Sequence, residues 1–273
     1  MPLHVIQRGS NRMATFHSPD ELECFRALLY VASRRFKCSI HAYVFMTNHV
    51  HLLITPEDDQ GPSRMMQLIG SQYAQYVNER YQRTGPLWDG RFRSCLVNSE
   101  QYVFGCSRYI ELNPVRAGMA SEPGHYPWSS YRRNAQGIHD PLVTPHALYR
   151  ALGAQPADQQ AAYRALFGEP EMPETLKAIR HAASSGGVLG DDTFRREIEA
   201  SLQRPLTRPP HGGDRRSDAF QAIHRGPSFR RANHIKGSDP LEISRALTLL
   251  KLGPAPARES SPPPAGSPHR SST

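Results

Sequence analysis

The chain has 273 residues, including 24 prolines and 20 glycines, and a formal net charge of +8. That is enough for one substantial core with polar extensions, and the charge suits a polyanionic partner, although a basic protein without such a partner would have the same balance. The four cysteines lack CxxC spacing and read as buried, reduced thiols of a cytosolic protein, while no run nears the roughly 18 apolar residues that span a bilayer and "MPLHVIQRGSNR" has no apolar signal core. Export and membrane embedding are therefore not expected.

In chain order, "HVIQRG" reads as a short strand ending in a glycine and a basic polar loop at residues 10–12. In "SPDELECFRALLYVASRRFK", Ser18 and Glu21 have capping-box spacing, Pro19 suits the first helical position, and Leu22, Phe25, Leu28, Leu29, Ala32 and Phe36 follow helical spacing. "HAYVFMTNHVHLLIT" reads as two strands of a hairpin turning near Thr47 and Asn48. A helix from about Pro62 to Val77 follows, then a turn at Asp89 and Gly90 into a strand. A third helix over "EQYVFGCSRYIELNPV" follows, capped by Asn98 or Ser99 and stopped by Pro114. The order β, α, β, β, α, β, α predicts an α+β fold, an antiparallel sheet with helices packed on it, of the ferredoxin-like kind.

After "GHYPWSSY" the pattern changes. Short helical candidates contain Tyr163, Leu166 and Phe167, then "PETLKAIRHAA", then Phe194, Ile198 and Leu202; such an extension must lean on the main domain or on a partner. Past Gln203 the chain is rich in Arg, Gly and Pro and is expected to be largely disordered. The predicted organisation is a main domain at 1–133, a small helical extension at 134–203 and a basic tail at 204–273.

Strand alternation puts His49 and His51 on one face and Val50, Leu52 and Ile54 on the other, so one face reads as core and the other as a site. Two imidazoles so spaced can share a metal ion, but they can equally be half-buried rings satisfied by hydrogen bonds. On the third helix Tyr109 and Asn113, at i and i+4, fall on one side beside Val103, Cys106 and Ile110. A core tyrosine and a capping asparagine would leave the same pattern.

"HVIQRGSNR", "NHVHLL", "GPLWDGRFRS", "RYIELNPVRAG" and "YPWSSY" occur in that order. Together, over roughly residues 2–131, they resemble the single-tyrosine HUH transposases, most closely the REP-associated tyrosine transposase group. The resemblance implies that His49 and His51 are the two histidines that ligate a divalent metal, Mg²⁺ or Mn²⁺, with Asn113 at the position of the third ligand. It implies that Tyr109 is the nucleophile, cutting single-stranded DNA at hairpin ends through a 5′-phosphotyrosine link and leaving a 3′-hydroxyl that can reverse the step. A cytoplasmic bacterial protein, at the nucleoid when bound to DNA and acting as a monomer or homodimer, is the accompanying expectation. The chemistry is coherent: a phenol of pKa about 10 needs help to lose its proton, and a metal on the phosphate oxygens stabilises the developing charge.

Tyr102, Tyr73 and Tyr76 are rival tyrosines, the last two readable as packing or base-stacking residues. Arg8, Arg12, Arg91 and Arg93 flank the proposed site and are the candidate DNA contacts, and Trp88 and Phe92 could stack on bases or belong to the core. Two other readings stay open: a domesticated protein that binds single-stranded DNA hairpins without cutting them, and a metal-dependent phosphoesterase that uses water.

Overall fold

The structure, a computed structural model, describes residues 1–98 and 100–203. The tail expected to be disordered and the capping role given to Ser99 lie outside the described residues. Strands β1 (Leu3–Arg8), β2 (Cys38–Met46), β3 (His49–Pro56), β4 (Arg93–Val97) and β5 (Val188–Leu189) form one sheet in the order β2-β3-β1-β4-β5. The first four pair antiparallel, and β5 adds a short parallel edge to β4. With α1 (Pro19–Arg35) after β1 and α2 (Gly61–Arg80) after β3, this is the ferredoxin-like wiring that the element order predicts.

Opposed residues of antiparallel strands share a face, so the register sorts the side chains. Val5, Leu52 and Tyr43 lie opposite one another, as do Phe45 and Val50, and this face packs with Phe25, Leu29, Ile69 and Tyr73 of α1 and α2. His4 lies opposite Leu53 and Cys95, and Val44 opposite His51. That second face is covered as well, by Val103, Cys106 and Ile110 of α3 (Glu100–Glu111) and by Ile179 and Ala182 of α8 (Pro173–Ser185). The division into one core face and one site face is thus corrected: the histidines sit at the edge of a second apolar cluster.

Two local expectations change, and a third is decided for the core. Ser18 is the N-cap of α1 but its side chain makes no cap hydrogen bond; Glu21 instead accepts from the backbone N–H of His17 at 2.7 Å, one residue earlier than a capping box requires. Pro114 does not stop the chain's helical path outright. It lies in the first turn of a following four-residue helix, α4 (Asn113–Arg116), and the break falls between Glu111 and Asn113. Trp88 is tied into the first core, its indole N–H donating to the Gly70 carbonyl at 3.0 Å and its ring 5.9 Å from that of Tyr73.

The segment after residue 133 returns to the sheet. Besides α8 and β5 it contains α6 (Ala147–Ala151), α7 (Pro156–Gly168) and α9 (Asp192–Leu202), preceded by α5 (Tyr131–Gln136). Thr144 N–H donates to the Ile40 carbonyl at 2.7 Å, and just ahead of this segment Ser130 N–H donates to the Tyr43 carbonyl at 3.0 Å. The tightest link is polar and buried. Glu111, at the end of α3, accepts from the Ser130 hydroxyl at 2.5 Å, the Asn134 amide at 3.0 Å and the Tyr163 hydroxyl at 2.9 Å. Burial pushes the Glu111 carboxyl up to about 7 against the opposing pull of these three donors.

This network gives a stability prediction. Because the folded protein holds the Glu111 proton more tightly than the unfolded chain, its contribution is full at acid pH and is lost as pH rises from the ordinary carboxylate range through about 7. In urea unfolding followed across that range, wild type should lose stability relative to Glu111→Gln as pH rises, whereas a constant difference would contradict the assignment. Tyr163→Phe should cost about 1–3 kcal/mol, since it removes a donor from a buried acceptor.

Candidate active site

At the edge of the second cluster four rings and a guanidinium meet. His49 and His51 have ring centroids 4.9 Å apart, and His51 lies 5.7 Å from Tyr109 in an edge-to-face arrangement. His4, which the sequence reading did not single out, stacks on His51 at 5.1 Å and meets the Tyr109 ring at 6.0 Å. Arg116 places its guanidinium 4.5 Å from the centre of the Tyr109 ring, a cation–π contact. Sheet register brings the histidines together and α3 supplies the tyrosine from above. Tyr109 is partly buried against the cluster formed by Val103, Cys106 and Ile110.

The imidazoles are neutral. Burial lowers His4 and His49 to about 4 and takes His51 well below its ordinary value, with neighbouring His4, His49, Arg8 and Arg116 adding to the effect on His51. For His49 the proton's position follows from its neighbours. The Asn48 amide nitrogen donates to the Arg12 carbonyl at 2.8 Å, so the Asn48 oxygen faces His49 Nδ1 at 2.7 Å and accepts its proton. Nε2 of His49 then carries a free lone pair. The loop that supplies the Arg12 carbonyl needs Gly9: a Cβ there would stand 2.5 Å from the Met13 carbonyl and 2.6 Å from Thr15. Asn11 and Arg12 turn the chain with φ of 52° and 59°.

His41 shows what a satisfied core histidine looks like in this chain. It lies where the β2–β3 register shifts between Ile40 and Ala42, and both ring nitrogens are used, one against the Thr144 carbonyl at 2.7 Å and the other against the Thr55 hydroxyl at 2.8 Å. His49 and His51 each use only Nδ1. Among the described residues no group of three His, Cys, Asp or Glu side chains forms a ready metal cluster. Asn113 is not drawn against the histidines by any hydrogen bond; its amide nitrogen donates to the Tyr109 carbonyl at 3.1 Å, which leaves its oxygen uncommitted.

Of the four arginines, Arg8 stands directly across from His49 and is exposed, and Arg12 and Arg91 are exposed as well. Arg93 is turned toward α8, donating to the Ser184 carbonyl at 3.3 Å. Arg116 is better fixed than any of them: it donates to the Tyr109 carbonyl and pairs with Glu171 at 2.7 Å. Among the rival tyrosines, Tyr73 is fully buried with its hydroxyl on the Thr15 carbonyl at 2.8 Å, and Tyr76 accepts from Arg80 at 3.1 Å. Tyr102 is partly buried against the same cluster as Tyr109, but the imidazole ring contacts go to Tyr109.

A histidine pair and a tyrosine thus meet at the edge of a ferredoxin-like sheet. Residues 1–113 match the family described as "Transposase IS200 like". Over 128 residues it is 22% identical to a Haemophilus influenzae (strain ATCC 51907 / DSM 11121 / KW20 / Rd) protein assigned as a REP-associated tyrosine transposase, a stretch covering 43% of this chain and 72% of the relative. It is also similar, at 19% identity and a TM-score of 0.43, to a solved REP-associated tyrosine transposase bound to a REP hairpin, over 53% of this chain and 85% of that one. Among the described residues no helix is long and apolar enough to cross a membrane.

The Asn48 contact predicts a measurable tautomer. In the metal-free protein, nitrogen-15 NMR should find the His49 proton on Nδ1, and Asn48→Ala should shift it toward a mixture with Nε2. A proton on Nε2 of His49 in the wild type would contradict the arrangement.

Proposed function

We propose that the chain is a strand transferase for single-stranded DNA with palindromic, hairpin-forming ends, in which Tyr109 is the nucleophile and His49 and His51 hold a divalent metal ion. The observation that carries this reading is the Tyr109 ring standing edge-on to His51 beside two neutral imidazoles whose Nε2 atoms have no protein partner. The donor set fits such an ion: neutral imidazoles ligate Mn²⁺ readily and Mg²⁺ less so. The free Asn113 oxygen is the candidate third ligand. Two or three protein ligands leave positions open to substrate, which suits catalysis and not a closed structural site. When bound, the metal would withdraw charge from the phosphate oxygens and hold the phosphate in line.

The chain's own residues supply the rest. Tyr109 oxygen forms the new P–O bond as the 3′-oxygen of the cut strand leaves, the phenol proton being lost and a proton gained by that 3′-oxygen. The ester conserves the bond, so attack by the 3′-hydroxyl reverses the step without a nucleotide cofactor. Arg116 holds the ring from one side and sets positive charge beside the reacting end of α3. Exposed Arg8 and Arg12, at the histidine end of the sheet, and Arg91 suit the flanking phosphates, an interaction that weakens steeply with salt. The palindromic substrate follows the REP-associated relative.

The test is an SDS gel of labelled hairpin-bearing single-stranded DNA with Mn²⁺. Wild type should form a covalent adduct that chelator abolishes. Tyr109→Phe should form none, Tyr102→Phe should retain it, and His49→Ala or His51→Ala should lower its rate by more than about 100-fold. Binding without an adduct would indicate a hairpin-binding protein, and cleaved product without an adduct a hydrolase that uses water; either contradicts the proposal.

A further inference from the structure

We infer that His4 is the positioning residue for His51: its Nε2 accepts the Nδ1 proton of His51 and so keeps His51 Nε2 bare toward the metal. This rests on the reading of His51 as a ligand. His4 is fully buried on β1, and its Nε2 lies 2.9 Å from His51 Nδ1 with the rings stacked 23° from parallel.

Two neutral rings can share that contact in only two ways. If His4 donates from Nε2, the single proton of His51 sits on its own Nε2 and blocks coordination there. If His51 donates from Nδ1, its Nε2 is a free donor atom and the His4 proton moves to Nδ1. His4 Nδ1 has no hydrogen-bond partner and is sealed from solvent. Only the second arrangement is compatible with a ligand, and it leaves one buried N–H unsatisfied.

That defect is what separates His4 from an ordinary core histidine. His41, also buried, has both nitrogens bonded. An apolar ring would fill the His4 position without burying an unpaired polar atom, which is costly. The cost is explained if His4 is there for its contact with His51. A ligating histidine needs a partner on its other nitrogen to fix ring and tautomer, and here His51 has His4 as His49 has Asn48. Both partners are neutral. Neither offsets the charge of the ion, which stays available to the DNA phosphate.

Calorimetric titration with Mn²⁺ on the full chain tests this. His4→Phe should weaken binding about 10–100-fold, whereas His4→Gln, whose amide oxygen can accept the His51 proton, should stay within about 3-fold of wild type. His51→Ala should lose binding altogether. If His51→Ala abolishes binding while His4→Phe matches wild type, the role of His4 is overturned and the metal site stands. If wild type does not bind Mn²⁺, or His51→Ala binds as well as wild type, the reading of the site falls and the inference with it. Should His4→Phe not fold, nitrogen-15 NMR of the Mg²⁺-saturated wild type decides: the His51 proton is expected on Nδ1, and a proton on Nε2 overturns the inference.

Discussion

The structure depends on burying imidazoles in an otherwise apolar layer. His4 and His51 are 0% and 3% exposed on a sheet face whose other neighbours include Val44, Leu53 and Cys95. Charged rings there would be costly, so burial itself keeps them neutral. Neutral rings must still place their one proton each, and the choice is made by whatever lies against Nδ1. The Asn48 amide makes it for His49, and the contact with His4 is the corresponding device at His51. Apolar packing thus sets protonation, and hydrogen bonding sets direction.

A site of this kind also requires the tyrosine to be held from the other side. The helix carrying Tyr109 is pinned at its C-terminal end by polar bonds that reach well beyond the first 113 residues. Glu111 ties it to Ser130, Asn134 and Tyr163, and Arg116 ties the Tyr109 carbonyl to Glu171. Pro114 is part of this: it has no N–H to offer the Ile110 carbonyl four residues back, while the neighbouring Tyr109 carbonyl accepts from the side chains of Asn113 and Arg116. The helical segment after residue 133 is therefore a brace for the tyrosine helix as well as cover for the histidine face.

Much of this was legible because it is local. Period-two and period-3.6 patterns marked the first seven elements, and alternation along β3 put His49 and His51 on one face before any partner strand was known. What escaped was non-local. His4 alternates with Ile6 and Arg8 on β1, but whether that row meets the histidines depends on the β1–β3 register, and a slip of one residue would turn it to the other face. Arg116 lies in the "RYIELNPVRAG" segment that marked the tyrosine, yet its seat over the ring arises from the helix break at Pro114, where a simple stop was expected. The two-residue β5 carries too short a pattern to be seen, and the Ser18–Glu21 spacing marked the right helix start with the wrong hydrogen bond.

The central claim is that one particular phenol, set among neutral imidazoles, takes up the DNA phosphate. Trypsin cuts after Arg93, Arg108 and Arg116, so Tyr109 and Tyr102 fall in separate peptides, residues 109–116 and 94–108. Mass spectrometry of the nuclease-trimmed reaction product should find the nucleotide remnant on the peptide 109–116. A remnant on the peptide 94–108, or on none, would contradict the account.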